Sequence, residues 1–249
     1  MKRITVATTF VTTLATTFIV TLVLASLNVA AQTQSREDVL KELKTKRAEL
    51  TALEQKLLDI SDADREANAA FIGGSDSGVI RLLPREKYDQ KVMTMTGGGA
   101  YYSFVRSTHE YGYGSDISLD QGMLSVGFAG ADYGMLFNLG DTPLDEVSGH
   151  RATRALFEYT PPAKEVDVRR HQRDVYYGIE LSGLNFKNRA SAKVANTYLL
   201  RSISFERSDV AVAFRVTRQD ADGSVILAFK ILKRFPTPEL DRTKVAENQ

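Results

Sequence analysis

Residues 197–235 read TYLLRSISFERSDVAVAFRVTRQDADGSVILAFKILKRF, and the spacing of their apolar side chains decides the fold. Over 210–217 valine and phenylalanine alternate with smaller or polar residues, which is the pattern of a half-buried β-strand. Gly223, in the turn that follows, can adopt the positive φ that a tight hairpin requires. Residues 225–232 are apolar on both faces, as in a strand that is central or covered. The stretch therefore predicts an antiparallel meander of three strands.

The period of two continues upstream to about residue 79, although it is less regular there. Further strands are predicted at residues 79–83, 91–96, 100–106, 116–119, 123–128, 134–138, 154–159, 165–169 and 175–181. Residues 144–155 also allow a short helix. Many short strands separated by frequent turns predict a single antiparallel β-sandwich or distorted barrel.

Composition excludes several classes of protein. The 249 residues include no Cys, which rules out a disulfide scaffold, thiolate metal sites, a thiol nucleophile and a cysteine-linked lipid anchor. Hydrophobic residues make up 43% of the chain and charged residues 25%, so a packed core is expected rather than disorder throughout. The formal net charge of +1 gives no general attraction to nucleic acid, which we do not expect as a partner.

The first residues have the features of an export signal. Lys2 and Arg3 precede an apolar stretch over 4–27, and no charged residue lies between them and Arg36. Two residues that suit a cleavage site, Val29 and Ala31, follow the apolar stretch. We expect residues 1–31 to be a signal peptide that directs the chain to the periplasm, to the cell envelope or out of the cell.

An uncleaved membrane anchor is the alternative for the same residues. About 20 apolar residues are enough to span a bilayer as a helix. Threonine pairs that begin at Thr8, Thr12 and Thr16 recur every four residues and share one helical face, which suits packing against other membrane helices. Under this alternative the chain is a single-span subunit of a larger membrane protein complex.

A short heptad pattern follows the leader. Neither Pro nor Gly occurs within residues 35–72, which predicts a helical stalk or coiled coil there. An association seam is predicted at Leu43, Leu50, Leu53, Leu57 and Ile60. About three heptads are marginal alone, so the pattern fits self-association or a protein partner, and equally a helix docked on the chain's own domain.

Glycine and aromatic residues are concentrated between residues 97 and 140, where ten of the 17 glycines lie. Aromatic side chains beside backbone without side chains can form a flat platform for a sugar, a peptide or a partner protein. The candidate binding residues are Tyr101, Tyr102, Tyr111, Tyr113 and Tyr133. The alternative is that the glycines form bulges and turns while the aromatic residues fill the core.

The segment HEYGYGSD, residues 109–116, contains the best candidates for catalysis. His109 is a potential general base, and Glu110 and Asp116 are carboxylates close to it in sequence, as in an envelope hydrolase that acts on glycan or peptide. No second His lies at metal-binding spacing, so we expect neither a metal site nor a cofactor.

Asp116, Ser118 and Asp120 place oxygen atoms at alternate positions of a predicted strand. Because Ile117 and Leu119 would point to the opposite face, we expect these three polar side chains to form a solvent-facing edge.

Together these patterns predict a mainly β protein in four parts. They are a hydrophobic leader or anchor helix (1–31), a heptad helix (35–72), one all-β domain (75–238) and a loose tail (239–249). Because the catalytic candidates form no coherent set, we expect an exported, non-catalytic binding or interaction module of the cell envelope.

Overall fold

The computed structural model describes residues 35–89, 91–112, 114–128 and 130–241. The leader, Tyr113 and most of the tail, on which several expectations rest, lie outside the described residues. The chain divides into two compact units, Met1–Leu53 and Glu54–Gln249. In the described part of the chain, no helix combines the length and the apolar character needed to cross a membrane.

Strands dominate the second unit. The described residues form the strands β1 Ser77–Leu82, β2 Tyr101–Tyr102, β3 Ile117–Asp120, β4 Met123–Ser125, β5 Tyr133–Gly140, β6 Ile179–Leu181, β7 Leu184–Phe186, β8 Arg189–Ser191, β9 Thr197–Ser204, β10 Ser208–Gln219 and β11 Val225–Phe235. The helices are α1 Arg36–Leu58, α2 Asp62–Ala67, α3 Arg151–Glu158 and α4 Glu165–Tyr177, with 3₁₀ turns at Ala69–Phe71 and Leu144–Gly149.

All named strand pairs are antiparallel, and they form three sheets. A five-stranded sheet has the order β1-β11-β10-β9-β5, a four-stranded sheet has the order β2-β3-β4-β8, and β6 pairs with β7. The predicted meander is confirmed as β9, β10 and β11, and Gly223 in its last turn has φ +93°. β1 forms one edge of the large sheet by pairing with β11, where Ser77 lies opposite Lys230. The mainly β, antiparallel class predicted from the sequence is therefore confirmed.

The first apolar cluster joins the two larger sheets. Phe214 and Leu227 of the five-stranded sheet belong to the same buried cluster as Ile117 and Leu124 of the four-stranded sheet. Alternation along the strands directs these side chains to a common face, where their burial stabilises the sheet pair.

The opposite face of the five-stranded sheet is covered by helices. Leu199 and Ala213 share a buried cluster with Leu156 of α3 and with Val168 and Val175 of α4. The sheet is therefore apolar on both faces, which explains why residues 225–232 carry no polar side of their own.

The strand predicted at 154–159 is wrong, because these residues lie in α3 or at its end. The Nδ1 atom of His150 caps this helix by accepting the amide of Ala152 at 3.1 Å. Ala152 and Leu156, four residues apart, are both buried, and this spacing aligns them on one helical face.

The strand predicted at 165–169 is also wrong, because it lies in α4. Val168 and Val175 are two helical turns apart and both buried, so a 3.6-residue period prevails over a weak alternation. Gly178 ends the helix with φ +118°, and only the end of the predicted segment 175–181 is a strand. The region predicted to be all-β therefore contains two helices.

Residues 91–96 form turns instead of the predicted strand. The Asp89 carbonyl accepts the amides of Val92 and Met93 at 3.0 and 2.9 Å, which curls the backbone. Met93 is buried beside Leu58 and Leu83, and this small cluster holds the turn in place.

The helix predicted over 35–72 is interrupted. α1 ends at Leu58, and the carbonyl of Asp59 accepts the Nε–H of Arg81 at 3.0 Å. Ser61 then starts α2 with a capping box that it shares with Asp64. Local capping chemistry therefore stops a helix that the absence of Pro and Gly would have allowed to continue.

Candidate functional site

An aromatic groove contains two of the binding residues predicted from the glycine-rich window, Tyr101 and Tyr111. It has a volume of about 640 Å³ and is lined by Arg85, Asp89, Lys91, Thr96, Gly97, Tyr101, Tyr111, Gly127 and Phe128. This volume lies within the range of roughly 300–1,000 Å³ that is usual for small-ligand sites.

Tyr101 is the centre of the aromatic wall. Its ring centroid lies 4.5 Å from that of Tyr111, at an interplanar angle of 52°, and 5.2 Å from that of Phe128, at 85°. Tyr101 is only 6% exposed, whereas Tyr111 is 36% exposed. The three rings therefore form an angled cradle, with Tyr111 on the open side, rather than the flat platform expected from the sequence.

Backbone geometry holds the two tyrosines together. Tyr101 lies on β2, opposite Ser118 of β3, and the amide of Tyr111 donates to the carbonyl of Thr96 at 2.8 Å. Gly97 lies between them with φ +85°, and a Cβ there would be 2.6 Å from Tyr101 Cδ2 and 2.7 Å from Tyr111 Cβ. The contact between the two rings therefore depends on the absence of a side chain at Gly97.

Gly98 is equally constrained, for a different reason. Its φ is +62°, and a Cβ would lie 1.2 Å from the carbonyl oxygen of Tyr88, where no atom fits. This close approach explains the triple glycine as a packing device, in agreement with the alternative interpretation that glycines form tight turns.

Two cations lie at the groove. The guanidinium carbon of Arg85 lies 6.0 Å from the centre of the Tyr101 ring. Among the described residues, no carboxylate forms an ion pair with Arg85 or with Lys91. The Asp89 carboxylate accepts the backbone amide of Lys91 at 2.9 Å, which fixes the position of the one acidic side chain in the groove.

Burial raises the pKa of the Tyr101 phenol, and the nearby Arg85 charge opposes that shift. Tyr101 is therefore a neutral phenol at physiological pH, with a hydroxyl that can donate as well as accept a hydrogen bond.

The other tyrosines predicted for binding lie elsewhere. Tyr102, the neighbour of Tyr101 on β2, points to the interior and belongs to the cluster between the two larger sheets. Tyr133 is buried beneath the helices, where its hydroxyl lies 2.6 Å from that of Tyr159. The Tyr159 hydroxyl in turn lies 2.9 Å from Nδ1 of His171. Only Tyr101 and Tyr111 of the five predicted residues line the groove, and Tyr113 lies outside the described residues.

His109 is engaged structurally. Its Nε2–H donates to the backbone carbonyl of Arg81 at 2.8 Å, and its ring lies 4.8 Å from that of Tyr102. Burial lowers the pKa of His109, and the hydrogen bond to the carbonyl opposes that shift. Glu110 is exposed, and in the described part of the chain no hydrogen bond or ion pair joins it to His109.

Asp116 lies in the interior, and so does Ser118, so the predicted solvent-facing edge is wrong at both positions. β3 is flanked by β2 and β4, which leaves it no free side within its sheet. The Asp116 carboxylate accepts the amide of Phe104 at 2.7 Å. Burial raises the pKa of Asp116, against hydrogen bonds that include those from the Ser202 hydroxyl and the Phe104 amide. The three catalytic candidates are therefore not assembled into one site.

No cluster of three or more His, Asp or Glu side chains that could hold a metal ion occurs among the described residues.

Four of the five residues of the predicted heptad seam lie on one helix. Leu43, Leu50, Leu53 and Leu57 are exposed on α1, whereas Ile60 follows its last residue and is half-buried.

A second groove of about 450 Å³ has less chemistry to offer. It is lined by Ala67, Asn68, Phe71, Pro143, Leu144, Asp145, Ala195, Arg215, Thr217 and Ala228. Its cation, Arg215, already pairs with Asp141 and donates to the Thr142 carbonyl at 3.2 Å. The aromatic groove, whose two cations form no ion pair within the part of the chain that the structure describes, is the stronger candidate.

The sequence did not point to Arg85, Asp89 or Lys91, which precede the glycine-rich window in an ordinary charged stretch. Hydrogen bonds that are distant in sequence bring the start of this stretch to the tyrosines. The amide of Leu83 donates to Gly99, and the amide of Arg85 donates to Leu119 of β3. Phe128 was visible as an aromatic residue of the window, but nothing in its neighbourhood marked it for binding.

Comparison with protein-family models, with curated proteins and with solved structures finds no match to this chain.

Proposed function

We propose that this chain is an exported binding module of the cell envelope and that its β-rich part holds a ligand in the aromatic groove. The observation that supports this most is the groove itself, a cavity of about 640 Å³ lined by three aromatic rings and by two cations that form no ion pair with any described residue. The apolar stretch over 4–27 and the small residues Val29 and Ala31 support export.

A non-catalytic role has more support than hydrolysis. His109 uses one ring nitrogen to hold the Arg81 carbonyl, and Asp116 is enclosed between strands. A general acid or base must reach the proton that it transfers, and neither group lines the aromatic groove. The acid–base residues that the sequence suggested for a hydrolase, His109 and Asp116, are therefore not at this cavity.

The helical segment is proposed to set position or oligomeric state. The exposed leucines of α1 support association with another copy or with a protein partner, because such side chains are stabilised when a partner covers them. The alternative, a single-span subunit of a membrane complex, is supported by the threonine face of residues 8–17.

We also propose that the four- and five-stranded sheets are the two layers of a β-sandwich. Their shared apolar cluster supports this arrangement, with α3 and α4 on the outer face of the larger sheet.

Retention from a native envelope extract tests the proposed function. The full chain, its Tyr111→Ala variant and a control Tyr177→Ala variant are immobilised and exposed to the same extract. Tyr177 is 78% exposed and lies outside the groove, so it controls for the loss of a surface tyrosine. We expect at least one component to be retained by the wild type and the control and lost with Tyr111→Ala. Identical retention by all three proteins would contradict a binding role for the groove.

Fractionation and N-terminal sequencing of the native protein test the location. A mature chain that begins at Gln32, found outside the cytoplasm, is expected for a cleaved signal peptide, and a retained Met1 in the membrane fraction for an anchor. A chain with Met1 in the cytoplasm would contradict export.

A further inference from the structure

We propose that the ligand of the aromatic groove is an acidic saccharide, bound with a sugar ring against Tyr111 and Tyr101 and a carboxylate near Arg85 and Lys91. This inference rests on the binding function proposed above and specifies the chemistry of its ligand.

Charge is the first argument. The groove contains the side chains of Arg85 and Lys91 against the single carboxylate of Asp89. Neither cation is neutralised by an ion pair among the described residues. An anion bound there would form charge-assisted hydrogen bonds with both groups, in a recess where such bonds are stronger than in bulk water. The complementary ligand therefore carries a negative group.

Shape is the second argument. Phe128 stands at 85° to Tyr101, and Tyr111 is inclined to it by 52°, so the rings present two walls of a cradle. The C–H face of a pyranose ring is apolar and packs on such aromatic surfaces, while its edge remains polar. A sugar ring seated on the exposed Tyr111 and on Tyr101 would lie beside Arg85, whose guanidinium carbon is 6.0 Å from the centre of the Tyr101 ring.

Hydroxyl partners are the third argument. Asp89 can accept, Thr96 can donate and accept, and the Tyr101 phenol can do both. A saccharide presents many hydroxyls, which need such a mixture of donors and acceptors.

An extended peptide fits less well. Peptides that bind β-domains commonly add a strand to a sheet edge, and their affinity comes from a row of main-chain hydrogen bonds. β2 is the edge strand at this groove, and it has only two residues. The favoured ligand is therefore one that binds through its ring and substituents rather than through a backbone.

Calorimetric titration of the full chain tests this inference. The acidic probes are trigalacturonate and a muramic-acid disaccharide, the neutral probe is the methyl ester of trigalacturonate, and the peptide probe is a short peptide with three glutamates. We expect an acidic saccharide to bind. The dissociation constant of the methyl ester should be at least about tenfold higher, as expected for the loss of a charge-assisted hydrogen bond.

Variants locate the contacts. The double variant Arg85→Gln, Lys91→Gln should weaken binding of the acidic probe by about tenfold or more and leave the ester unchanged, and Tyr111→Ala should weaken both. A matched control removes two positive charges elsewhere, at the exposed Lys187 and Lys193, and should bind as the wild type does. Equal loss in the double variant and in the control would overturn the assignment of the carboxylate to the groove.

The outcomes separate this inference from the function on which it rests. Equal affinity for acid and ester, or binding of the peptide alone, overturns the acidic saccharide. Failure of every saccharide at millimolar concentration also overturns it. In each of these cases, retention from the envelope extract that still depends on Tyr111 leaves the binding function standing. If no saccharide binds and retention from the extract does not depend on Tyr111, both proposals are wrong.

Discussion

Arg201 and Asp209 form a bidentate ion pair in the interior, with Nε 2.8 Å from Oδ1 and Nη2 2.7 Å from Oδ2, and each side chain is 2% exposed. The remaining guanidinium nitrogen, Nη1, donates to the carbonyls of Leu156 and Tyr159 at 2.6 Å each, at the C-terminal end of α3. The guanidinium carbon lies 3.7 Å from the ring centre of Phe235 on β11. One side chain thus connects two strands, the end of a helix and a third strand.

We predict that Asp209→Asn lowers the free energy of unfolding by roughly 3–5 kcal/mol, because it leaves the Arg201 charge buried without its partner. Urea denaturation followed by circular dichroism measures the loss. The surface pair of Arg234 and Asp76, whose side chains are 48% and 56% exposed, supplies the control. Asp76→Asn should cost about 1 kcal/mol or less. Similar losses in the two variants would contradict the structural importance of the buried pair.

Asp116 should make stability fall as pH rises. Its pKa is raised in the folded state, so the folded protein binds more protons than the unfolded chain between the unfolded pKa and the raised one. Stability is then highest below the unfolded pKa and is lost as pH rises through the folded pKa. Asp116→Asn removes this dependence and should increase stability near pH 7 relative to the wild type.

Asp222 supplies a control of opposite sign. Burial tends to raise its pKa, but hydrogen bonds from Ser224 and Tyr88 and the charge of Lys87 together lower it. Its contribution should therefore be present above the unfolded pKa and be lost as pH falls. Urea midpoints measured over roughly pH 3 to 7 should separate Asp116→Asn and Asp222→Asn from the wild type in opposite directions. Parallel curves for wild type and Asp116→Asn would refute the role of Asp116.

Gly97→Ala should open the aromatic groove. The added Cβ would crowd Tyr101 and Tyr111 and would place alanine at φ +85°, at a cost of roughly 1–3 kcal/mol. Gly122→Ala is the matched variant, because Gly122 has φ +71° but nothing within 4 Å of the added atom. We expect both variants to lose stability and only Gly97→Ala to lose binding to the groove. Unchanged binding by Gly97→Ala would contradict the geometry described for the rings.

Tyr133→Phe should cost roughly 1–2 kcal/mol, because it removes a buried hydroxyl that lies 2.6 Å from the hydroxyl of the half-buried Tyr159. Tyr177→Phe, at an exposed position, should change the free energy of unfolding very little. Thermal unfolding of the three proteins, compared at one pH, provides the measurement. A loss of the same size in Tyr177→Phe would show that the effect does not come from the contact between the Tyr133 and Tyr159 hydroxyls.

The exposed leucines of α1 predict association. Sedimentation equilibrium of the full chain should give a mass above that of one chain, and Leu50→Lys with Leu57→Lys should reduce it, because each leucine removed from a seam forfeits roughly 1.5–3 kcal/mol. Lys44→Gln, a polar change on the same exposed helix, is the control. A wild-type chain that is monomeric at every concentration would exclude self-association and leave only a different partner.

The last strands could be predicted because their signal is local. Alternation, a glycine turn and an apolar final segment all occur within residues 197–235, and these features suffice to define neighbouring antiparallel strands. The alternative of a short helix over 144–155 is confirmed in part by the 3₁₀ turn at Leu144–Gly149 and by the start of α3. α4 was missed, because short amphipathic segments with many charges fit a period of 2 and a period of 3.6 almost equally. Only the apolar face of the large sheet, which needs a cover, decides between them.

The candidate site could be predicted only in its aromatic half. Alternation along β2 places Tyr101 in the groove and Tyr102 in the core. Tyrosines that are adjacent in a strand therefore cannot line the same site. Arg85 comes to the groove through a hydrogen bond from its amide to the carbonyl of Leu119, a contact distant in sequence that no local pattern encodes. His109 and Asp116 looked catalytic because titratable groups in a polar segment resemble a site. In the structure the half-buried His109 holds the Arg81 carbonyl, and Asp116 is buried in the interior.

The pairing of β1 with β11 has a consequence for how the protein is made. Residue 77 leaves the ribosome long before residue 230, so β1 has no neighbour in the large sheet until β11 has been made. β9, β10 and β11 can pair in order as consecutive hairpins. The pairing of β1 with β11, by contrast, must close a chain loop that contains most of the domain. β11 therefore provides the pairing partner of β1 as well as one partner of β10. A chain truncated before β11 would leave both of these strands with exposed, unpaired apolar edges.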